Sequence, residues 1–138
     1  MNYLFDTNVV SAARRLARLP RSMVDWLSSV PESHCFLSVI SLMEIEVGIR
    51  RLERSDVAQG AVLRRWKSMV VAESFRDRIL PVDEAIAETC AGLHVPDPRP
   101  QLDALIAATA ICHRFILVTR NTADFDPMGV TTLNPWSL

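Results

Sequence analysis

Long apolar runs, paired cysteines and a large net charge are all missing from this sequence. No segment approaches the ~20 apolar residues that a membrane-spanning helix needs, and no basic segment precedes an apolar one at the N-terminus, as in a secretory signal. We therefore expect a cytoplasmic protein with no membrane partner. The cysteines, Cys35, Cys90 and Cys112, lie far apart in apolar surroundings. This spacing argues against disulfides and a zinc site and predicts buried free thiols.

The chain is long enough for one self-sufficient core. Its 138 residues are 49% hydrophobic, so we expect a single domain spanning residues 1–138. The net charge is only −1, but residues 50–67 carry six basic and two acidic side chains, whereas residues 79–138 carry seven acidic and three basic ones. An acidic centre beside a basic segment suits a metal-dependent nuclease, because acids bind the cation and arginines hold phosphates. The basic segment alone fits a solvated helical face equally well.

Short apolar runs alternate with amphipathic segments along the chain. The runs predict strands over residues 2–5, 35–39, 78–82, 115–119 and 130–133. The amphipathic segments predict helices over residues 7–19, 22–30, 41–53, 56–71, 83–93 and 102–114. Alternating strands and helices indicate an α/β fold with a central parallel sheet and helices on both faces. In such sheets, ligands bind beyond the carboxyl ends of the strands.

Four acids, Asp6, Glu44, Asp103 and Asp124, follow a predicted strand or open a predicted helix. Each has a purely structural alternative. Asp6 suits a helix N-cap, Ser41 and Glu44 have the spacing of a capping box, and the last two acids suit first helical turns. Together, however, the four would converge on one rim of the sheet, so the set favours a functional site.

Carboxylates this close repel one another by about 4 kcal/mol per pair near 4 Å at an effective dielectric of 20. A divalent cation would neutralise such a cluster, and oxygen ligands without histidine or cysteine favour Mg²⁺ or Mn²⁺ over zinc. Asn8 and Asn121 are neutral neighbours that could hold water or orient a carboxylate, and Asn121 competes with Asp124 for the last place in the site. Gly48 lies one helical turn after Glu44, where close approach by another backbone or a ligand would explain a glycine.

The sequence resembles the PIN-domain ribonucleases, specifically the VapC toxins of bacterial toxin–antitoxin pairs and their FitB-like branch. The matching stretches are Leu4–Asn8, Leu37–Glu44 with Gly48, Asp103–Ala110, Leu117–Phe125 and Asn134–Trp136. Their order and spacing cover almost the whole chain. The resemblance implies an α/β/α sandwich, a homodimer or a dimer of toxin–antitoxin heterodimers, and a VapB-type antitoxin partner.

The resemblance also assigns roles. It implies that Asp6 and Asp103 are primary metal ligands, that Glu44 is a ligand or a water-orienting acid, and that Asp124 is the fourth acid. It places Asn8, Ser41 and Thr119 at the small polar positions of the family.

The resemblance implies endonucleolytic cleavage of structured RNA, such as tRNA or rRNA, and we expect one or two Mg²⁺ ions to activate the attacking water. We expect the arginines to hold flanking phosphates, with Arg120, Arg50 and Arg51 as candidates. Two alternatives remain. A non-catalytic relative would have lost one or more acids, and a strand-end phosphoryl-transfer enzyme would need a second acid where Asn8 stands.

Overall fold

The computed structural model describes residues 1–138 and contains a five-stranded, entirely parallel sheet with the order β3-β2-β1-β4-β5. Its strands are β1 (Tyr3–Phe5), β2 (Cys35–Ser38), β3 (Ile79–Leu80), β4 (Ile116–Val118) and β5 (Thr132–Leu133). All five were predicted, and each is slightly shorter than its apolar run. The α/β fold class is therefore confirmed.

Helices cover both faces of the sheet. They are α1 (Thr7–Ala12), α2 (Arg21–Ser29), α3 (Val39–Ser55), α4 (Val57–Trp66), α5 (Ala72–Ser74), α6 (Glu84–Leu93), α7 (Gln101–His113) and α8 (Thr122–Phe125). A π-helical segment, Lys67–Val71, joins α4 to α5, and 3-10 turns occupy Ala13–Arg18, Glu32–His34, Asp126–Met128 and Pro135–Ser137. No helix is long and apolar enough to cross a membrane.

The core is divided between the two faces, as in a three-layer sandwich. Leu4 and Leu117 point into a cluster with α6 and α7, whereas their neighbours Phe5 and Val118 point into a cluster with α1, α2 and α3. This alternation is the period of two that a strand imposes on its side chains. The alanines of α7 are fully buried, so this narrow helix lies close against the sheet.

Three local predictions were wrong. The first helix does not continue to Leu19, because it becomes a 3-10 turn after Ala12 with a non-helical residue at Arg15. Helix α3 begins at Val39, and Ser38 caps it by accepting a hydrogen bond from the backbone N–H of Ile40, so Ser41 and Glu44 do not form a capping box. Cys112 is exposed, whereas the other two cysteines are buried free thiols as predicted.

Candidate metal-binding active site

Asp6 occupies the centre of the sheet's carboxyl edge, because β1 is the middle strand and Asp6 follows it directly. Its side chain is buried, with 7% of the residue exposed. One carboxylate oxygen, Oδ1, accepts a 2.8 Å hydrogen bond from the backbone N–H of Thr7 and so caps α1. The other, Oδ2, accepts a 2.8 Å bond from the hydroxyl of Thr119, just past β4. Asp6 is therefore both the helix cap and the most rigidly held acid of the predicted set.

Glu44 lies beside Asp6 because β2 neighbours β1 and α3 starts immediately after β2. The hydroxyl of Thr7 donates a 2.8 Å hydrogen bond to Oε1 of Glu44. Since the backbone N–H of Thr7 also binds Asp6, this one residue contacts both acids. Glu46 points elsewhere and pairs with Arg64 and Lys67.

Asp103 approaches the same edge from the opposite layer. It lies in the first turn of α7 and is half-buried. Burial raises its pKa, and the negative charges of Asp6 and Asp124 raise it further. Burial likewise raises the pKa of Asp6. The hydrogen bonds from Thr119 and Thr7 lower it, and the negative charge of Glu44 raises it by a smaller amount. The four acids thus form one electrostatically connected group with Asp6 at its centre.

Asp124 and Asn121 are the exposed members of the site. Helix α8 starts just after Asn121 and carries Asp124 in its first turn, as the structural alternative for this acid predicted, and the Asn121 side chain makes no capping hydrogen bond. Only the backbone of Asn121 is engaged, its N–H donating to the Thr119 hydroxyl at 3.1 Å. The negative charge of Asp124 contributes to the raised pKa of Asp103, so Asp124 is electrostatically part of the group.

Two of the small polar residues, Thr119 and Asn8, lie next to Asp6. The side-chain amide of Asn8 donates to the Thr119 hydroxyl, and its Oδ1 accepts from the backbone N–H of Arg120, both at 3.4 Å. Ser41 is fully buried, and its hydroxyl has no hydrogen-bond partner. A buried unpaired hydroxyl is unusual and costs stability, which leaves Ser41 free to hydrogen-bond a ligand or a water.

The donor chemistry of the group fits a divalent cation. All its ligand atoms are oxygens, as Mg²⁺ and Mn²⁺ prefer, and the mutual repulsion that raises the Asp103 pKa is what a bound cation would relieve. No three acid, histidine or cysteine side chains are already arranged as a set of metal ligands.

The predicted phosphate-binding arginines have different environments. Arg50 pairs with Glu46 within α3 at 2.6 Å. Arg64 of α4 and Lys67 of the π-helical segment contact the same carboxylate and so join their elements to α3. Arg51 is exposed and forms no ion pair. Arg120 adjoins the acids, because it directly follows Thr119, and its guanidinium lies 5.0 Å from the ring centroid of Trp136.

One residue of the site region was missed by sequence reasoning. Arg14 lies over Trp66, with 5.4 Å from its guanidinium to the ring centroid, in a groove that Thr7, Glu44 and Gly48 also line. Arg14 lies seven positions, or two helical turns, after Thr7 in the sequence. This spacing could have predicted that both side chains lie on the same face of the first helix. No other backbone approaches Gly48, because a Cβ there would meet no atom within 4 Å. Gly48 instead leaves this groove open.

Comparisons with known proteins relate the chain to a family and a fold. The sequence model of the PIN domain matches residues 3–129. A relative in Sinorhizobium fredii, described as VapC ribonuclease Y4jK, is 26% identical over 96% of this chain and 96% of its own length.

Two solved structures resemble the chain over nearly its full length. FitAcB from Neisseria gonorrhoeae superposes with a TM-score of 0.87 and 32% identity, covering 99% of each chain. A toxin–antitoxin complex from Klebsiella pneumoniae gives a TM-score of 0.64 and 28% identity, covering 98% of each chain.

Proposed function

This chain belongs to the PIN-domain family, and we propose that it is a metal-dependent endoribonuclease that acts as the toxin of a VapBC-type pair. The substrate class is structured RNA, such as tRNA or rRNA. The description of the S. fredii relative as a VapC ribonuclease supports the activity, and the K. pneumoniae toxin–antitoxin complex supports the biological role.

The observation that carries the proposal is the contact of Thr7 with two acids. Its backbone N–H binds Asp6 and its hydroxyl binds Glu44, although these acids come from different strand–helix units. A helix cap needs only one carboxylate. A second carboxylate held within reach of the first, with Asp103 raising the local negative charge, costs stability. Such an arrangement is expected where a cation and a phosphodiester bind together.

The acids have distinct roles in this proposal. Asp6 and Asp103 are the primary ligands of one or two Mg²⁺ or Mn²⁺ ions, completed by Glu44 and by Asp124 or Asn121. The bound cation supplies charge neutralisation of the scissile phosphate and a lowered pKa for the attacking water. Thr119 and Thr7 orient Asp6 through their hydrogen bonds and oppose the rise in its pKa that burial causes.

Glu44 and Asp124 are the candidates to receive the proton of the attacking water. Glu44 is fixed by Thr7, whereas Asp124 is exposed and free to approach the substrate. In-line attack on the phosphorus breaks the bond to the 3′ oxygen and leaves a 5′-phosphate and a 3′-hydroxyl. Ser41 and Asn8 supply neutral hydrogen-bonding groups next to the acids.

A VapB-type antitoxin would dock on the apolar side of the site. A groove of about 160 Å³ is lined by Phe5, Val10, Trp66, Val70 and Phe75, among other residues. Trp66 also contacts Arg14 at the neighbouring groove that includes Glu44. An apolar helix filling these grooves would end close to the acids. Trp26 is not part of this surface, because it packs against Tyr3 at 5.3 Å. Either a toxin homodimer or a dimer of toxin–antitoxin heterodimers would accommodate such docking.

Cleavage of a structured RNA by the purified chain tests the proposal. We expect cleavage with Mg²⁺ or Mn²⁺, none with EDTA, and loss of cleavage in Asp6→Asn. Glu44→Gln should slow cleavage strongly, whereas Glu46→Gln, on the same helix but outside the site, should cleave at the wild-type rate. An Asp6→Asn variant that cleaves as fast as the wild type would contradict the proposal. A wild-type chain that binds RNA and metal without cleaving would favour a non-catalytic member of the family.

A further inference from the structure

A second pocket lies beside the acids and has the opposite charge. It has a volume of about 270 Å³ and is lined by Arg15, Arg18, Arg120, Trp136 and three small or apolar neighbours. No carboxylate lines it, and none of the three arginines forms an ion pair within 4.0 Å. Clustered guanidinium groups without acids repel one another, so the pocket favours a bound anion.

The pocket is joined to the candidate active site through the backbone. Arg120 directly follows Thr119, whose hydroxyl binds Asp6. The backbone N–H of Arg120 donates to Oδ1 of Asn8, one helical turn from Ser11 at the pocket wall. An RNA strand that has one phosphate at the acids of the candidate active site can therefore place a nearby phosphate among the arginines of this pocket.

The C-terminal residues give the pocket a flat wall. The Arg120 guanidinium lies over the Trp136 ring at 5.0 Å. Asn134 hydrogen-bonds the backbone of both residues. Its side-chain amide donates to the Arg120 carbonyl at 3.4 Å, and its Oδ1 accepts from the backbone N–H of Trp136 at 2.9 Å. Arg120 is exposed, so the outer face of its guanidinium is open for a base to stack on.

We propose that this pocket binds a nucleotide of the RNA strand flanking the cleaved bond, with Arg15 and Arg18 holding its phosphate and Arg120 stacking on its base. The substrate assignment rests on the proposed function. Arginine suits this task because its planar fork binds phosphate oxygens bidentately and also stacks on bases. Stacking accepts any base, so the pocket sets the strand's position and not its sequence.

Binding of a 5′-labelled single-stranded RNA in EDTA, followed by fluorescence anisotropy, tests this pocket without cleavage. Arg15→Ala with Arg18→Ala should weaken binding roughly tenfold at low salt and reduce the salt slope by about 0.7, the contribution of the one phosphate that the two arginines share on a single strand. Arg120→Lys keeps the positive charge but loses the planar guanidinium that stacks on the base. It should therefore weaken binding about fivefold or more and leave the salt slope unchanged.

The matched control is Arg54→Ala with Arg65→Ala, which removes two exposed arginines without ion pairs from α3 and α4. Equal losses of affinity in the control and in the Arg15 and Arg18 variant would overturn the proposal, because any two charges would then suffice. Unchanged RNA binding with lost binding of a glutamate-rich peptide would also overturn it and assign the pocket to a protein partner. Wild-type cleavage of RNA is scored separately with Mg²⁺, so failure of the pocket and failure of the nuclease are distinguishable.

Discussion

The hydroxyl of Thr119 donates a 2.8 Å hydrogen bond to Oδ2 of Asp6, joining the ends of two neighbouring strands across 113 positions of sequence. Thr119 is fully buried and Asp6 nearly so. Burial raises the pKa of Asp6, and this bond is the largest effect that opposes the rise. Thr119 therefore positions the central acid and helps to keep it ionised.

Replacing Thr119 with valine should shift the pH dependence of cleavage. Thr119→Val removes the hydrogen bond but keeps the side-chain shape, so the pKa of Asp6 rises and the acidic limb of the pH–rate profile moves to higher pH. Stability should fall by about 1–3 kcal/mol, the cost of losing a bond to a charged group. Thr119→Ser retains the hydroxyl and should restore the wild-type profile, as measured by single-turnover rates across pH. Identical profiles for the valine variant and the wild type would contradict this role.

Removing the charge of Asp103 should stabilise the metal-free protein at neutral pH. The pKa of Asp103 is raised in the fold, so the native state keeps this proton to higher pH than the unfolded chain does. Stability consequently falls as pH rises from the ordinary aspartate range through the raised value. Asp103→Asn avoids this cost and should melt a few degrees higher than the wild type at pH 7 in EDTA.

The same comparison at low pH provides the control for Asp103. Below the ordinary aspartate pKa of about 3.9, both states of the wild type are protonated, and the advantage of Asp103→Asn should vanish. Asp97→Asn, an exposed residue outside the acidic group, should show no such gain. An advantage of equal size at both pH values would indicate that packing and not charge is responsible.

Two helical glycines should respond oppositely to alanine. At Gly48 a Cβ meets nothing within 4 Å, so Gly48→Ala should stabilise the chain by up to about 1 kcal/mol through helix propensity. At Gly60 a Cβ would lie 2.6 Å from Cγ and 2.8 Å from Cα of Glu53, so Gly60→Ala must push α4 away from α3 and should destabilise the chain. Urea unfolding of both variants measures the two signs. A stabilised Gly60→Ala variant would contradict the close helix contact.

The order of elements and the edge that carries the acids could be predicted from the sequence. Apolar runs and helix breakers reflect local chemistry, so all five strands were found. The two boundaries missed, at Ala13 and Ser38, depend on tertiary packing. Ser38 and Ser41 both suit a cap, and only the position where β2 turns into α3 decides that Ser38 is the cap while Ser41 is buried without a partner.

Long-range side-chain contacts could not be predicted in the same way. Thr7 directly follows Asp6 in the sequence, but its bond to Glu44 spans 37 positions and depends on how α1 packs against α3. The environments of the arginines also depend on the fold. In the basic segment, Arg50 and Arg64 share Glu46. Outside that segment, the unpaired Arg15 and Arg18 line the pocket beside the acids.

Calorimetric titration with Mn²⁺ tests the central claim that the four acids form one cation site. Wild-type protein should bind Mn²⁺ and gain thermal stability in its presence. Asp6→Asn and Asp103→Asn should bind it at least tenfold more weakly while remaining folded, and Glu46→Gln should match the wild type. Equal Mn²⁺ affinity in the wild type, Asp6→Asn and Asp103→Asn would contradict the account.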